Sequence, residues 1–127
     1  MKQKILIIED NTEIRESTAE LLELAGYEVS SADNGRSGLT LIADFLPDLI
    51  ICDIRMEEMD GYAVLAELKG NPRTAEVPFL FCTAQSEKKD IQKAEDTGVK
   101  AYLIKPFTQD ELFTAIETSI SGRSQIG

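Results

Sequence analysis

A chain of 127 residues is long enough to bury one core and short for two, so a single functional site is expected. With 23 acidic against 13 basic residues and a net charge of −10, the chain lacks the broad basic surface that direct binding to nucleic acid or an anionic membrane requires. It contains no histidine, which excludes a histidine kinase acting on itself.

Short apolar runs alternate with amphipathic stretches from end to end, the pattern of a doubly wound α/β fold with a five-stranded parallel sheet. After Met1 to Lys4 comes the first run, Ile5-Leu6-Ile7-Ile8, too short for a signal-peptide core or a membrane span, so a cytoplasmic protein is expected. A helix follows from about Thr12 to Ala25, with Ile14, Thr18, Leu21, Leu22 and Ala25 on one face and Gly26 as its stop. Glu28 to Ala32 is polar enough for an edge strand. Asn34 caps a second helix carrying Leu39, Ile42 and Ala43, which ends before Pro47. Leu49-Ile50-Ile51-Cys52 and Phe79-Leu80-Phe81-Cys82 are continuously apolar, as strands covered on both faces should be. Their cysteines read as reduced, buried thiols. Between them Asp60 caps a third helix with Val64, Leu65 and Leu68 inward, broken at Gly70-Asn71-Pro72. The fourth helix, about Ser86 to Thr97, carries only Ile91 and Ala94 as apolar residues and is expected to be loosely held. Ala101-Tyr102-Leu103-Ile104 is the second edge strand. The last helix has a capping box, Thr108 with Glu111, and a stripe of Leu112, Phe113, Ile116 and Ile120. Residues 1–121 form the domain, and 122–127 read as a flexible tail or the start of a linker.

In open parallel sheets, functional groups gather beyond the carboxyl ends of the strands. Glu9 and Asp10 follow the first strand, Asp53 the third, Thr83 and Ala84 the fourth, and Lys105-Pro106 the fifth. Three carboxylates in one pocket repel one another unless a divalent cation joins them, and Mg2+ suits an all-oxygen site that keeps room for waters and a phosphate. Asp10 and Asp53 are the expected direct ligands, with Glu9 holding a coordinated water. Lys105 supplies positive charge for a phosphoryl group, the Thr83 hydroxyl can donate to it, and Asp53 is the best oxygen nucleophile available. Each piece has an ordinary reading by itself: Glu9-Asp10 as acids favoured beside a helix N-terminus, Asp53 as a loop acid, Thr83-Ala84 as a strand end, Lys105-Pro106 as a turn. Their joint occurrence, each in its proper loop, favours the chemical reading.

These residues, together with Met56, Asp60-Gly61 and Phe107, resemble the receiver domain of two-component response regulators over Lys2 to about Ser121. The resemblance implies a flavodoxin-like (βα)5 fold with strand order 2-1-3-4-5. It also implies phosphoryl transfer with Mg2+ to Asp53, from the phosphohistidine of a sensor histidine kinase or histidine phosphotransfer protein, and later hydrolysis, with no other enzymatic activity. By the same resemblance Arg55 lends its backbone carbonyl to the metal, Thr83 is the switch hydroxyl and Lys105 contacts the phosphoryl group. Lys105-Pro106 is a cis peptide, and Tyr102 is the aromatic that swings inward. The family dimerises or docks partners through helix 4, strand 5 and helix 5. One departure is Glu57-Glu58, where the family commonly has Pro-Gly after the methionine. The stretch Lys69 to Phe81 is similar to stand-alone receivers and to those joined to cyclase outputs. A receiver-like module that is never phosphorylated fits poorly with the complete acid, threonine and lysine set. A flavodoxin would need a cofactor loop where Glu9-Asp10-Asn11 would repel its phosphate, and a dehalogenase-type phosphatase would want a second Asp where Arg55 stands.

Overall fold

The computed structural model describes residues 2–84, 88–99 and 101–124. Strands β1 (Lys4–Ile8), β2 (Glu28–Ala32), β3 (Leu49–Asp53), β4 (Phe79–Ala84) and β5 (Ala101–Lys105) alternate with helices α1 (Thr12–Leu24), α2 (Gly35–Phe45), α3 (Gly61–Lys69), α4 (Lys88–Asp96) and α5 (Gln109–Ser124). All strand pairs are parallel, in the order β2-β1-β3-β4-β5. The two strands with polar sequences are therefore the two edges, and the three apolar runs are central.

The sheet divides the core in two because successive side chains of a strand point to opposite faces. Leu6, Ile8, Ile50, Cys52, Phe79 and Phe81 pack with Ile42 of α2, Val64, Leu65 and Leu68 of α3, and Ala94 of α4. Ile5, Ile7, Leu49, Ile51, Leu80 and Cys82 pack on the other face with Leu22 of α1 and Leu112, Ala115 and Ile116 of α5. Asn11, Asn34 and Asp60 start α1, α2 and α3, each accepting a backbone N–H three residues on. Thr108 and Glu111 close the reciprocal box at α5, with bonds of 2.8 and 3.1 Å. Gly26, at φ 100°, turns the chain out of α1.

Some details differ from the sequence expectation. Ala25 and Ala43 are exposed, because α1 and α2 settle with Leu22 and Ile42 inward and leave these small residues on the rim. β3 and β5 extend one residue beyond the apolar run and β4 two, since the ladder continues through Asp53↔Cys82, Thr83↔Ile104 and Ala84↔Lys105. The chemistry-bearing residues are thus strand ends held by backbone pairing. The expected start of the fourth helix at Ser86 lies outside the described residues; within them Ala94 is buried and Ile91 half-buried. α5 runs to Ser124, and residues 125–127 are not described. Among the described residues no helix is long and apolar enough to cross a membrane.

Cys52 and Cys82 occupy adjacent strands but opposite faces of the sheet. Both thiols are buried, and burial pushes both pKa values up, so neither forms a reactive thiolate at neutral pH. An aromatic disulfide reagent is expected to label neither thiol in the native chain and both in urea. An internal disulfide found by non-reducing mass analysis would contradict this register.

Candidate functional site

The carboxyl ends of β1, β3, β4 and β5 bring together Glu9, Asp10, Asp53, Thr83 and Lys105. Glu9 is the first residue past β1; its N–H continues the ladder to Ala32 O at 3.0 Å, which keeps it buried. Its Oε2 accepts the Asn11 N–H at 3.2 Å and its Oε1 accepts the Lys105 ammonium at 2.7 Å. Asp53, only 6 % exposed, ends β3 between two neighbouring strands. Lys105 reaches from β5 across the end of β4, so the same Nζ lies 3.3 Å from Asp53 Oδ2.

One ammonium therefore serves two buried carboxylates and is nearer to Glu9. Burial pushes the Asp53 carboxyl up to about 7, the Glu9 charge pushes in the same direction, and Lys105 pulls back without prevailing. For Lys105, burial alone would favour loss of its proton, but the Glu9 bond and the two carboxylates outweigh it and hold the ammonium above its ordinary value. The site is short of positive charge. Oxygen atoms of Glu9, Asp10 and Asp53 lie within 4.8 Å of one another, close enough to share one hard cation. Asp10, unlike the other two, is exposed, so the cluster opens to solvent on its side.

Thr83 lies on β4 and is 1 % exposed. Among the described residues its buried Oγ1 has no hydrogen-bond partner, a costly arrangement unless something else supplies one. Arg55 is exposed in the loop after β3, where it lines an open depression with Asp10, Ile54, Met56, Glu57, Asp60, Tyr62 and Lys93. Lys93 of α4 stands 4.4 Å from the centre of the Tyr62 ring at this mouth. Asp60 belongs to the same depression, but its Oδ1 is engaged by the Ala63 N–H at 2.9 Å as the cap of α3. Tyr102 is half-buried on β5, on the face that α2, α3 and α4 cover. The Lys105–Pro106 peptide is cis.

Three supporting residues carry little signal in the sequence. Gly61 is one: a Cβ there would stand 2.7 Å from Asp53 O and 3.0 Å from Ile54 Cα, so only glycine lets α3 begin against the backbone of Asp53. Arg15 is another, donating from Nη1 to Glu9 O at 2.8 Å. Asn11 both caps α1 and steadies Glu9. A cation near a helix N-terminus is the hint the sequence carries for Arg15, and for Gly61 it is a glycine directly after a capping aspartate, a pair already among the residues of the resemblance.

Glu58 adopts φ 67°, inside a turn that Met59 N–H closes on Glu57 O at 2.7 Å. This is left-handed backbone, where glycine is at ease and a glutamate is not.

A family model described as the response regulator receiver domain matches residues 5–117. The chain is 34 % identical over 123 residues to the DNA-binding dual master transcriptional regulator RpaA of a Synechocystis species, covering 97 % of this chain and 51 % of that protein. It is 38 % identical over 120 residues to the transcriptional regulatory protein PdtaR of Mycobacterium tuberculosis, covering 94 % of this chain and 57 % of that protein. It thus spans about half the length of these curated relatives. Among solved structures it resembles a receiver domain protein from Clostridium thermocellum, with a TM-score of 0.88, 28 % identity and coverage of 98 % and 99 % of the two chains. The chemotaxis protein CheY4 of Vibrio cholerae superposes with a TM-score of 0.86 at 27 % identity, over 94 % of this chain and 99 % of that one.

Two outcomes follow from the local geometry. Because folded Asp53 holds its proton more tightly than the unfolded chain does, its contribution to stability is complete below the ordinary value of 3.8 and is lost as pH rises through about 7. In metal-free buffer Asp53→Asn is expected to melt several degrees above wild type near pH 8, with the gap closing toward about pH 4. A wild type that instead gains on the variant as pH rises would refute the dominance of burial over Lys105. Urea titration reports on the turn: Glu58→Gly should leave stability unchanged or raise it by up to ~1 kcal/mol, whereas Glu58→Val should cost ~1–2 kcal/mol.

Proposed function

The chain belongs to the response regulator receiver domain family, and we propose that it accepts a phosphoryl group on Asp53 from the phosphohistidine of a sensor histidine kinase or histidine phosphotransfer protein. The observation that carries this reading is the charge imbalance at Asp53, where one ammonium is shared by two buried carboxylates, with a buried hydroxyl at the end of the neighbouring strand that has no partner among the described residues.

The donor set fits Mg2+. It is all oxygen, its atoms converge within 4.8 Å, and the exposed side at Asp10 leaves space for waters and phosphoryl oxygens. Asp10, Asp53 and the backbone carbonyl of Arg55 would hold the ion, with Glu9 acting through a water. When bound, Mg2+ neutralises the repulsion between the carboxylates and an approaching phosphoryl group. An Asp53 carboxylate oxygen then forms the O–P bond while the P–N bond breaks and its electrons return to the imidazole. Lys105 pairs with one phosphoryl oxygen, as its position between Glu9 and Asp53 allows, and the Thr83 hydroxyl donates to another. Water later cleaves the acyl phosphate and restores Asp53. No other enzymatic activity is part of this reading.

Movement of Thr83, with Tyr102 turning inward on the neighbouring strand, alters the surface formed by α4, β5 and α5. That surface is the one through which the chain docks a partner or a second copy of itself. The net charge of −10 argues against direct contact with nucleic acid by this domain. Two buried, reduced thiols suit a cytoplasmic setting.

Incubation with Mg2+ and a small acyl-phosphate donor, followed by intact mass analysis, is expected to add one phosphoryl group to wild type and none to Asp53→Asn or to wild type in chelator. Lys105→Ala should slow the transfer on the order of 10²-fold. Equal labelling of Asp53→Asn would sink the proposal.

A further inference from the structure

Arg15 lies in the opening turns of α1, where the N–H groups of the helix end disfavour a cation. An exposed arginine in that place would extend into water. This one is half-buried and folds back, with Nη1 2.8 Å from Glu9 O and Nη2 3.4 Å from Thr12 Oγ1.

The carbonyl it holds belongs to the peptide that joins Glu9 to Asp10. A peptide unit is planar, so fixing its oxygen also fixes the nitrogen and Cα from which the Asp10 side chain departs. The preceding peptide is already anchored by Glu9 N–H on Ala32 O at 3.0 Å. The Glu9 carboxylate is held at both oxygens, by Asn11 N–H and by Lys105. Arg15 completes this set on the side facing Asp10. Asp10 is exposed and lies between the end of β1 and the cap of α1. Its backbone is set by that peptide on one side and, on the other, by the next peptide, whose Asn11 N–H rests on Glu9 Oε2; of the two bonds the one from Arg15 is the shorter, and it is charge-assisted.

We propose that Arg15 is a positioning residue for the divalent cation: it holds the Glu9–Asp10 peptide so that the Asp10 carboxylate is aimed toward Asp53 before the ion arrives. The inference rests on the reading of this pocket as a Mg2+-dependent phosphoryl acceptor. It predicts a specific division of effects. Loss of Arg15 weakens capture of the ion, while the transfer step, once the ion is bound, proceeds with the same residues in the same places.

Arg15→Met keeps the apolar stem and removes the donors; Arg15→Lys keeps one charged donor. Calorimetric titration with Mg2+ is expected to give a Kd about tenfold higher for Arg15→Met, equal to about 1.4 kcal/mol. Arg15→Lys should recover most of that loss. Acyl-phosphate labelling should fall by the same factor at limiting Mg2+ and return to within about twofold of wild type at saturating Mg2+. If Arg15→Met does not fold, Arg15→Gln, shorter and uncharged, takes its place: a raised Kd with a wild-type saturated rate supports the positioning role, and a wild-type Kd overturns it. An unchanged Kd in Arg15→Met, with Asp10→Asn having lost Mg2+ binding, overturns this inference alone. So does a reduced saturated rate with unchanged Kd. A wild-type chain that neither binds Mg2+ nor is labelled overturns the receiver reading and this one together.

Discussion

Two carboxylates buried at the end of a parallel sheet compete for one ammonium, and much of the site follows from how that competition ends. Glu9 takes Lys105 at 2.7 Å, and Asp53 keeps it at 3.3 Å. Burial multiplies the cost of whatever charge is left uncompensated, because the surrounding medium is far less polarisable than water. Glu9 offsets that cost with a second donor, the Asn11 N–H. Asp53, buried and without full compensation, is the member of the pair that gains most from an arriving cation. On the reading proposed above, the cation that relieves this imbalance is also what lets Asp53 accept a phosphoryl group.

The backbone explains why the competition is staged there. Strand pairing runs through Asp53, Thr83 and Lys105, so their Cα positions are set by the ladder and not by loops. Behind Asp53, α3 begins so close that Gly61 has no space for a side chain. Asp60, an acid that could have joined the cluster, is engaged as the cap of that same helix. The acidic excess of the sequence is therefore sorted by geometry into a converging cluster, a cap and exposed charges at the rim, among them Glu57 and Glu58.

Much of this was legible in the residues. Continuous apolar runs marked β1, β3 and β4 as central, and the mixed polarity of Glu28–Ala32 and Ala101–Lys105 marked the edges, since period and burial are both written in side-chain type. The site residues were legible as strand-end positions for the same reason. What was not legible depends on distances between segments far apart in the chain. Whether Lys105 favours Glu9, 96 residues earlier, or Asp53 on the third strand has no local signature; only the packed sheet decides it. Nothing local distinguishes Arg15 from an ordinary helix-surface charge, because its partner is a carbonyl six residues earlier. The positive φ of Glu58 was foreshadowed only by a departure from the Pro-Gly of the resembling family.

Among the described residues, the pocket is firm around Glu9 and Asp53, open at Asp10 and softer toward Thr83. Glu9 is tied through its N–H, its carbonyl and both carboxylate oxygens. Asp53 is backed by Gly61 and flanked by central strands. The softer side runs through Thr83 toward α4, whose polar sequence buries Ala94 fully and Ile91 only in part. A structure under a new local force yields where the least packing is lost, so displacement on the Thr83 side is the least costly response. The Thr83 hydroxyl has no hydrogen bond within these residues, so in the proposed reading it gives up none on turning toward a phosphoryl oxygen. In that reading, gaining a partner there removes the penalty of a buried, unsatisfied group, so phosphorylation of Asp53 and the turn of Thr83 favour each other.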